Sequence, residues 1–175
     1  SEMCIRDRNY SDGTFTPEEL AEHGQRVGLN AMALTDHDTV DGCTRMAVAC
    51  SERDIEFVTG CEFTVGHDGN ELHLLGYFLD LENGRLRGEL AKYQKVRRNR
   101  IHEMVVKLNE LGVEITSDDV MKIANCDAPG RPHIGRALMA MGHCRSLDEA
   151  FRKWLKKGKP AWVPKAKLTA AEAIG

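Results

Sequence analysis

Residues 30–38 read NAMALTDHD, a short run of small and apolar residues that ends in polar and charged ones. This run predicts a buried strand over 30–36, with the polar side chains collected at its carboxyl end. A helix is predicted before it, because Thr16-Pro17-Glu18-Glu19 combines a capping box with a proline at the first helical position. We expect that helix to extend to about Gly28, so that a strand follows a helix here.

The alternation of helix and strand continues to about residue 80. Residues 42–53 return to helical periodicity, and Ile55 to Gly60 form a second strand pattern. A third strand is predicted over Glu71 to Leu79, after the turn GHDGN at 66–70. The order helix, strand, helix, strand, strand indicates an α/β fold with a largely parallel sheet.

The second half of the chain carries helical patterns. One long pattern runs from Arg85 to Leu111 and ends at Gly112, a typical C-cap residue. Shorter helices are predicted over 117–124, 132–141 and 147–155. We interpret 84–159 as a helical insertion subdomain. Residues 160–175 would return to the α/β part, where the capping box TAAE at 169–172 predicts a further helix.

Length and composition limit the class of protein. A chain of 175 residues suits one globular domain, and its net charge of -3 gives no overall attraction to nucleic acid or anionic lipid. No apolar stretch approaches about 20 residues, and no basic and apolar leader opens the sequence, so neither a membrane span nor a secretory signal is predicted. The six cysteines contain no Cys-x-x-Cys pair. They are therefore expected to be reduced, mostly buried thiols of a cytoplasmic protein.

Ionisable residues cluster where the predicted strands end. Asp36-His37-Asp38 follows the first strand, Glu62 follows the second, and His73 lies inside the third. Carboxyl ends of parallel strands are where catalytic groups collect in α/β folds. Imidazole and carboxylate together suit Zn²⁺, Mn²⁺ or Fe²⁺. Asp12, in the loop before the first helix, could add a carboxylate to this group.

Each of these residues also has a simpler interpretation. Asp12 could only organise the turn before the helix, and His37 could be a solvated loop residue. His73, between two leucines, could be a hydrogen-bonded core histidine. Glu62 is harder to explain in this way, because an unpaired carboxylate at the end of an apolar strand is costly to bury.

A second group of candidates is basic. It comprises Lys95, Arg97, Arg98 and Arg100 on the long helical pattern, and Gly130-Arg131-Pro132-His133 at the start of another helix. Guanidinium groups match phosphate oxygens, and the free N–H groups of a helix start add affinity for anions. The alternative for the first cluster is a solvated helix face. Lys156, Lys157 and Lys159 are interpreted as a solvated helix end.

Taken together, the short motifs resemble one known family. They are YSDGT at 10–14 with TPEEL at 16–20, LTDHDT at 34–39, GCE at 60–62, ELHLLGY at 71–77 and GRPH at 130–133. Their combination resembles the PHP (polymerase and histidinol phosphatase) metal-dependent phosphoesterases over about residues 9–175. The branch that it resembles most contains nucleoside 3′,5′-bisphosphate phosphatases and 5′-to-3′ exoribonucleases.

The resemblance implies a distorted (β/α)₇ barrel, here incomplete, with a helical insertion and up to three divalent metal ions, usually Mn²⁺. By resemblance, Asp12 and His37 would share one metal, Glu62 would bridge the other two, and His73 would ligate one of that pair. The family's insertion supplies phosphate contacts. In this sequence they would map onto Arg97, Arg100, Arg131 and His133.

The function implied by the resemblance is hydrolysis of phosphate from nucleoside 3′,5′-bisphosphates or from the 5′ ends of short RNA. Nucleotide or short RNA would be the partner, and the sequence has no DNA-binding motif. Two alternatives remain open. One is another phosphoesterase of the same fold, resembling histidinol phosphatases or polymerase-associated PHP domains. The other is a degenerate domain without catalysis.

The sequence departs from the family pattern at both ends. The family's opening histidine pair would fall at Ile5 and Asp7, and neither is histidine. Residues 1–8 show neither alternation nor an apolar run, so no strand is predicted there and the segment is interpreted as non-native. The family's Ala-His-Pro motif and its final Asp-x-His pair would lie beyond Gly175. We therefore expect 9–83 to form the first part of a barrel that is truncated after 160–175, with weak or no activity.

Overall fold

The computed structural model describes residues 2–5, 15–67, 70–164 and 168–169. Five strands and six α-helices are formed in these ranges. The strands are β1 (Glu2–Ile5), β2 (Ala31–Leu34), β3 (Glu56–His67), β4 (Asn70–Tyr77) and β5 (Leu168–Thr169). The helices are α1 (Pro17–Arg26), α2 (Cys43–Ser51), α3 (Gly84–Glu110), α4 (Ser117–Ala124), α5 (Arg131–Ala140) and α6 (Leu147–Ala150).

The strands form one mixed sheet in the order β1-β2-β3-β4. β1 pairs with β2 and β2 with β3, in both cases in parallel. β5 also pairs in parallel with β3, at Val65 and Gly66, whereas β4 runs antiparallel to β3 over Gly60–His67. The prediction of an α/β fold with a largely parallel sheet is confirmed.

Strand β1 corrects the expectation that residues 1–8 hold no strand. Glu2 to Ile5 pair with Ala31 to Leu34 in register. A parallel ladder is made by backbone N–H and C=O groups and does not require the side-chain alternation that a half-exposed antiparallel strand shows. The absence of alternation was therefore a poor reason to exclude a strand.

Most of the other predicted elements are confirmed, with shifts of one to three residues at their ends. Three differ in kind. β3 continues to His67 and takes in part of the predicted turn, because β4 pairs with it along its second half. The last predicted helix is one α-helical turn, α6, followed by a π-helix over Phe151–Leu155. Thr169 lies in β5, and the helix predicted after it falls outside the described residues.

The cap of α1 shows how local sequence sets an element's start. The Thr16 side chain accepts a hydrogen bond from the Glu19 amide at 3.2 Å, and the Glu19 carboxylate accepts one from the Thr16 amide at 2.8 Å. These two bonds satisfy N–H groups that a helix start leaves without partners. Leu20, Ala21 and Gly24 form the buried side of the helix.

The chain forms two compact units, one from residues 1–92 and 167–175 and the other from 93–166. The second unit has its own apolar core, to which α3 contributes Ile101, Met104, Val105 and Leu108 at helical spacing. The predicted division at residues 84 and 159 remains a prediction. No helix among the described residues is long and apolar enough to span a membrane.

Burial should make two of the free cysteines unreactive in the folded chain. Desolvation raises the pKa of the Cys43 thiol to about 11 and raises that of Cys50 as well. Because the thiolate is the nucleophile, iodoacetamide at pH 8 should modify half-buried Cys126 while Cys43 and Cys50 stay unmodified. Peptide mass spectrometry before and after denaturation measures this. Native modification of Cys43 at the rate of Cys126 would contradict the buried position of α2.

Candidate metal centre

The chain that follows β2 stays beside β3 and so brings two polar side chains together. The Glu62 amide donates to the Asp36 carbonyl at 3.0 Å, and the Asp38 amide donates to the Glu62 carbonyl at 3.0 Å. His37, between the two aspartates, forms an isolated parallel bridge with Glu62. The backbone pairing thus places His37 next to Glu62 just beyond the end of β2.

The β3–β4 hairpin supplies the third side chain. In its antiparallel register His73 is opposite Thr64, two residues from Glu62 along β3. Side chains two residues apart on a strand share a face, so His73 and Glu62 lie on the same side of the sheet. The hairpin therefore brings His73 to the carboxylate that His37 already faces.

The three side chains meet closely. Glu62 Oε2 lies 3.2 Å from His37 Nδ1, and Glu62 Oε1 lies 2.8 Å from His73 Nδ1. Potential ligand atoms of the three residues all lie within 4.8 Å of one another, and the two imidazole centroids are 5.3 Å apart. The Glu62 side chain is 2% exposed, His37 15% and His73 36%. The group is buried on its carboxylate side and open on the side of His73.

This donor set fits a divalent transition-metal ion. A buried carboxylate needs positive charge beside it. Two neutral imidazoles carry no charge, so the positive charge must come either from protonation of an imidazole or from a cation that the imidazoles bind. Two ligand atoms bound to one ion at roughly 2.1 Å and about 90° to each other are about 3 Å apart, which the observed contacts match. Nitrogen and carboxylate oxygen donors are those that Zn²⁺, Mn²⁺ and Fe²⁺ accept.

The structure brings three of the four predicted metal ligands together. Asp12, the fourth, lies outside the described residues. His37 and His73 both contact the Glu62 carboxylate, so these contacts do not assign the two histidines to different ions. The predicted division of the ligands among several ions stays a prediction.

The predicted phosphate-binding residues all lie in the unit formed by 93–166, and each has surroundings of its own. Arg100 donates from Nε to the Val163 carbonyl at 3.0 Å. Arg131 donates to the Leu155 carbonyl at 3.5 Å and lies 5.7 Å from the centre of the Phe151 ring. Arg97 is only 8% exposed, so a solvated helix face is the wrong interpretation for it.

His133 is buried in the first turn of α5. Its Nδ1 accepts a hydrogen bond from the Gly130 amide at 2.9 Å, and the residue is 1% exposed. The ring therefore carries its proton on Nε2, which makes that atom a donor. A role for His133 or the three arginines in binding phosphate remains a prediction.

Asp38 is a residue whose position the sequence did not reveal. It is 3% exposed and has a φ of 53°, in the left-handed region that asparagine and aspartate tolerate better than other non-glycine residues. Its amide bonds to Glu62, and its carboxylate Oδ1 is 3.5 Å from the Thr64 amide. The sequence signal for this role is the second aspartate of the Asp-His-Asp triplet, which can hold the loop beside His37 without being a metal ligand.

Replacing Asp38 by glycine is expected to weaken binding of Mn²⁺ by about tenfold or more, since partners that orient ligands typically contribute 10–100-fold. Glycine keeps the left-handed backbone but removes the carboxylate that faces Thr64. Asp38→Asn keeps an acceptor at the same place and should bind within a few-fold of the unchanged chain. Isothermal titration calorimetry measures both. Equal affinity of the glycine variant would show that Asp38 does not hold this loop.

Comparison with known proteins gives the family. An α/β fold that gathers two imidazoles around a buried carboxylate beside the carboxyl end of a parallel strand is suited to metal-assisted hydrolysis. The profile of the PHP domain matches residues 7–157, and the chain belongs to that family.

Three relatives show how far the similarity extends. A 5′-3′ exoribonuclease of Haemophilus influenzae is 31% identical over 87% of this chain and 56% of its own length. A 3′,5′-nucleoside bisphosphate phosphatase of Chromobacterium violaceum is 30% identical over 94% of this chain and 58% of its own. The structure of a candidate metal-dependent phosphoesterase from Bifidobacterium adolescentis superposes with a TM-score of 0.90 at 28% identity, over 99% of this chain and 61% of that one. The chain thus spans somewhat more than half the length of these relatives.

Proposed function

We propose that this chain is part of a metal-dependent phosphoesterase that acts on nucleoside 3′,5′-bisphosphates or on the 5′ ends of short RNA. The observation that carries the proposal is the buried Glu62 carboxylate between His37 and His73, in a chain of the PHP family. Relatives named for both activities support the substrate class. We further infer that the sheet belongs to the family's distorted (β/α)₇ barrel.

The proposed ions are up to three divalent Mn²⁺ ions, with Asp12 as a further ligand. Bound divalent ions would activate water and neutralise charge on a phosphoryl group. The residues of this chain would bind and position those ions. Glu62 presents one oxygen to each imidazole, and the backbone pairing of Asp36 and Asp38 with Glu62 fixes His37.

Binding of phosphate is proposed for Arg97, Arg100, Arg131 and His133. A guanidinium has five N–H donors in a planar fork that matches phosphate oxygens, which supports this role for the three arginines. The Nε2–H group of His133 is a further donor at the start of α5, where the helix dipole favours anions. A substrate with two phosphates accounts for a basic group in addition to the metal ligands. We place the protein in the cytoplasm, as the reduced thiols suggest.

The test is Mn²⁺-dependent phosphate release from 3′-phosphoadenosine 5′-phosphate, from a short 5′-phosphorylated RNA and from histidinol phosphate. Each rate is compared with that of Glu62→Gln. We expect slow release above the Glu62→Gln background from the nucleotide substrates, because Asp12, His37, Glu62 and His73 cannot complete three coordination spheres. A preference for histidinol phosphate would favour the alternative phosphoesterase. Rates equal to the background on all three would contradict catalysis by this chain.

A further inference from the structure

A turn rich in lysine follows the π-helix at Phe151–Leu155. We call Lys156–Lys159 the lysine turn. The Lys156 amide donates to the Phe151 carbonyl at 3.0 Å, and the Lys159 amide donates to the Lys156 carbonyl at 2.9 Å. Gly158 supplies a φ of 81°, which residues with a side chain rarely adopt. Its backbone is thus held in one defined conformation, so the three lysines are displayed together.

Within the ranges that the structure describes, the charge of the lysine turn has no neutralising partner. Lys156, Lys157 and Lys159 are exposed, and no carboxylate of the described residues forms an ion pair with them. The two cations just before the turn are paired: Lys153 lies 2.5 Å from Glu149, and Arg152 lies 3.7 Å from Asp148. In a chain of net charge -3, the lysine turn is a local concentration of positive charge.

Aromatic side chains flank the same turn. The Trp162 amide donates to the Lys159 carbonyl at 2.9 Å, and the Ala161 amide donates to the Trp154 carbonyl at 3.2 Å. Both tryptophans are partly exposed, and Trp154 packs with its other side against the core of its unit. Positive charge next to partly exposed aromatic rings is the combination that binds single-stranded nucleic acid, in which lysines contact phosphates and bases stack on the rings.

We infer that the lysine turn, with Trp162 beside it, binds the backbone of single-stranded RNA. The inference rests on the proposed function for the choice of RNA, and it adds a surface for the part of a substrate that is not hydrolysed. An acidic protein segment would use the lysines but would have no need of the tryptophans. Backbone binding of this kind does not depend on base sequence.

The position of the tryptophans makes a local measurement possible. The chain contains two tryptophans, and both flank the lysine turn. Single-stranded RNA of about ten nucleotides, within the range of known site sizes, is titrated while tryptophan fluorescence is recorded. EDTA is present, so that hydrolysis cannot interfere. Anisotropy of a labelled RNA gives the affinity at several salt concentrations.

The test variant carries Lys156→Gln, Lys157→Gln and Lys159→Gln. The matched control carries Arg85→Gln, Lys92→Gln and Lys122→Gln, which remove the same charge from exposed positions on α3 and α4. Three lost phosphate contacts should lower the slope of log affinity against log salt by about 2. The test variant should bind RNA about tenfold more weakly at 0.1 M salt and lose the fluorescence change, while the control keeps both.

Several outcomes overturn the inference: no binding of RNA by the unchanged chain, an unchanged salt slope in the test variant, or an equal loss in the control. Tighter binding of polyglutamate than of RNA would assign the turn to an acidic protein partner instead. Because these measurements are made without metal, they are independent of catalysis. If the unchanged chain binds RNA but releases no phosphate, the proposed function is overturned and the inference about the lysine turn is not.

Discussion

Changing Glu62 to glutamine is expected to abolish binding of divalent metal, with a loss of affinity of at least about a hundredfold. The carboxylate is the one anionic group in the trio and contacts both imidazoles, at 3.2 and 2.8 Å. Glutamine has nearly the same shape, but it is neutral and presents an amide –NH₂ to one of the two histidines. Calorimetric titration with Mn²⁺ and Zn²⁺ measures the effect, and thermal unfolding shows that the variant is folded.

Glu56→Gln is the matched control for this experiment. Glu56 begins the same strand, β3, but its side chain is exposed and its partner in the ladder is Ala31. The control should therefore bind metal as the unchanged chain does. Retention of tight binding by Glu62→Gln, or equal losses in both variants, would show that the buried carboxylate is not a metal ligand.

The sequence could nominate candidate metal ligands, whereas it could not predict the contacts between them. Polar residues after apolar runs pointed to His37 and Glu62, because carboxyl strand ends gather at one edge of a sheet. His37 does follow β2, but the expectation that Glu62 follows its strand is wrong, because pairing with β4 extends β3 to His67. That His73 faces Glu62 depends on the β3–β4 register, in which Thr64 is opposite His73. A shift of one residue would turn His73 to the other face, and the motif alone does not specify the register.

The secondary structure likewise could be predicted only where neighbouring residues determine it. Caps and periodicity located α1 and α4, because the bonds that start these helices involve neighbouring residues. β1 and the second half of β3 were missed, because their conformation is set by distant partners, Ala31–Leu34 and β4. The π-helix at Phe151–Leu155 also escaped, since its side-chain pattern is that of an α-helix.

Gly60 is a residue that the sequence placed in a strand without showing why it must be glycine. A Cβ added there would lie 2.7 Å from the Leu34 carbonyl oxygen and 2.8 Å from Thr35 Cγ2, on β2 and directly after it. On the other side it would lie 3.1 Å from the Gly76 carbonyl oxygen of β4. The glycine therefore lets three adjacent strands approach just before His37 and Glu62.

Gly60→Ala is accordingly expected to destabilise the fold by about 2–3 kcal/mol and to lower the midpoint of thermal unfolding by about 5–10 °C. Because the obstacle is backbone on both sides, β2 and β3 must separate, and this separation moves His37 away from Glu62. Mn²⁺ affinity should fall by about tenfold or more in the same variant. Calorimetry and circular dichroism measure the two effects.

Gly135→Ala is the control for Gly60→Ala, because it tests whether a close contact with a side chain costs as much stability as a close contact with backbone. A Cβ at Gly135 would also meet an atom at 2.7 Å, but this atom is Cδ2 of Leu147, the end of a side chain that can rotate away. We expect this variant to lose less than about 1.5 kcal/mol and to keep its metal affinity. If both alanine variants lose stability equally, the added methyl group is costly at any tightly packed glycine, and the close approach of the strands at Gly60 does not explain the effect. If Gly60→Ala unfolds at the same temperature as the unchanged chain and binds metal equally well, the spacing of β2, β3 and β4 does not set the geometry of the site.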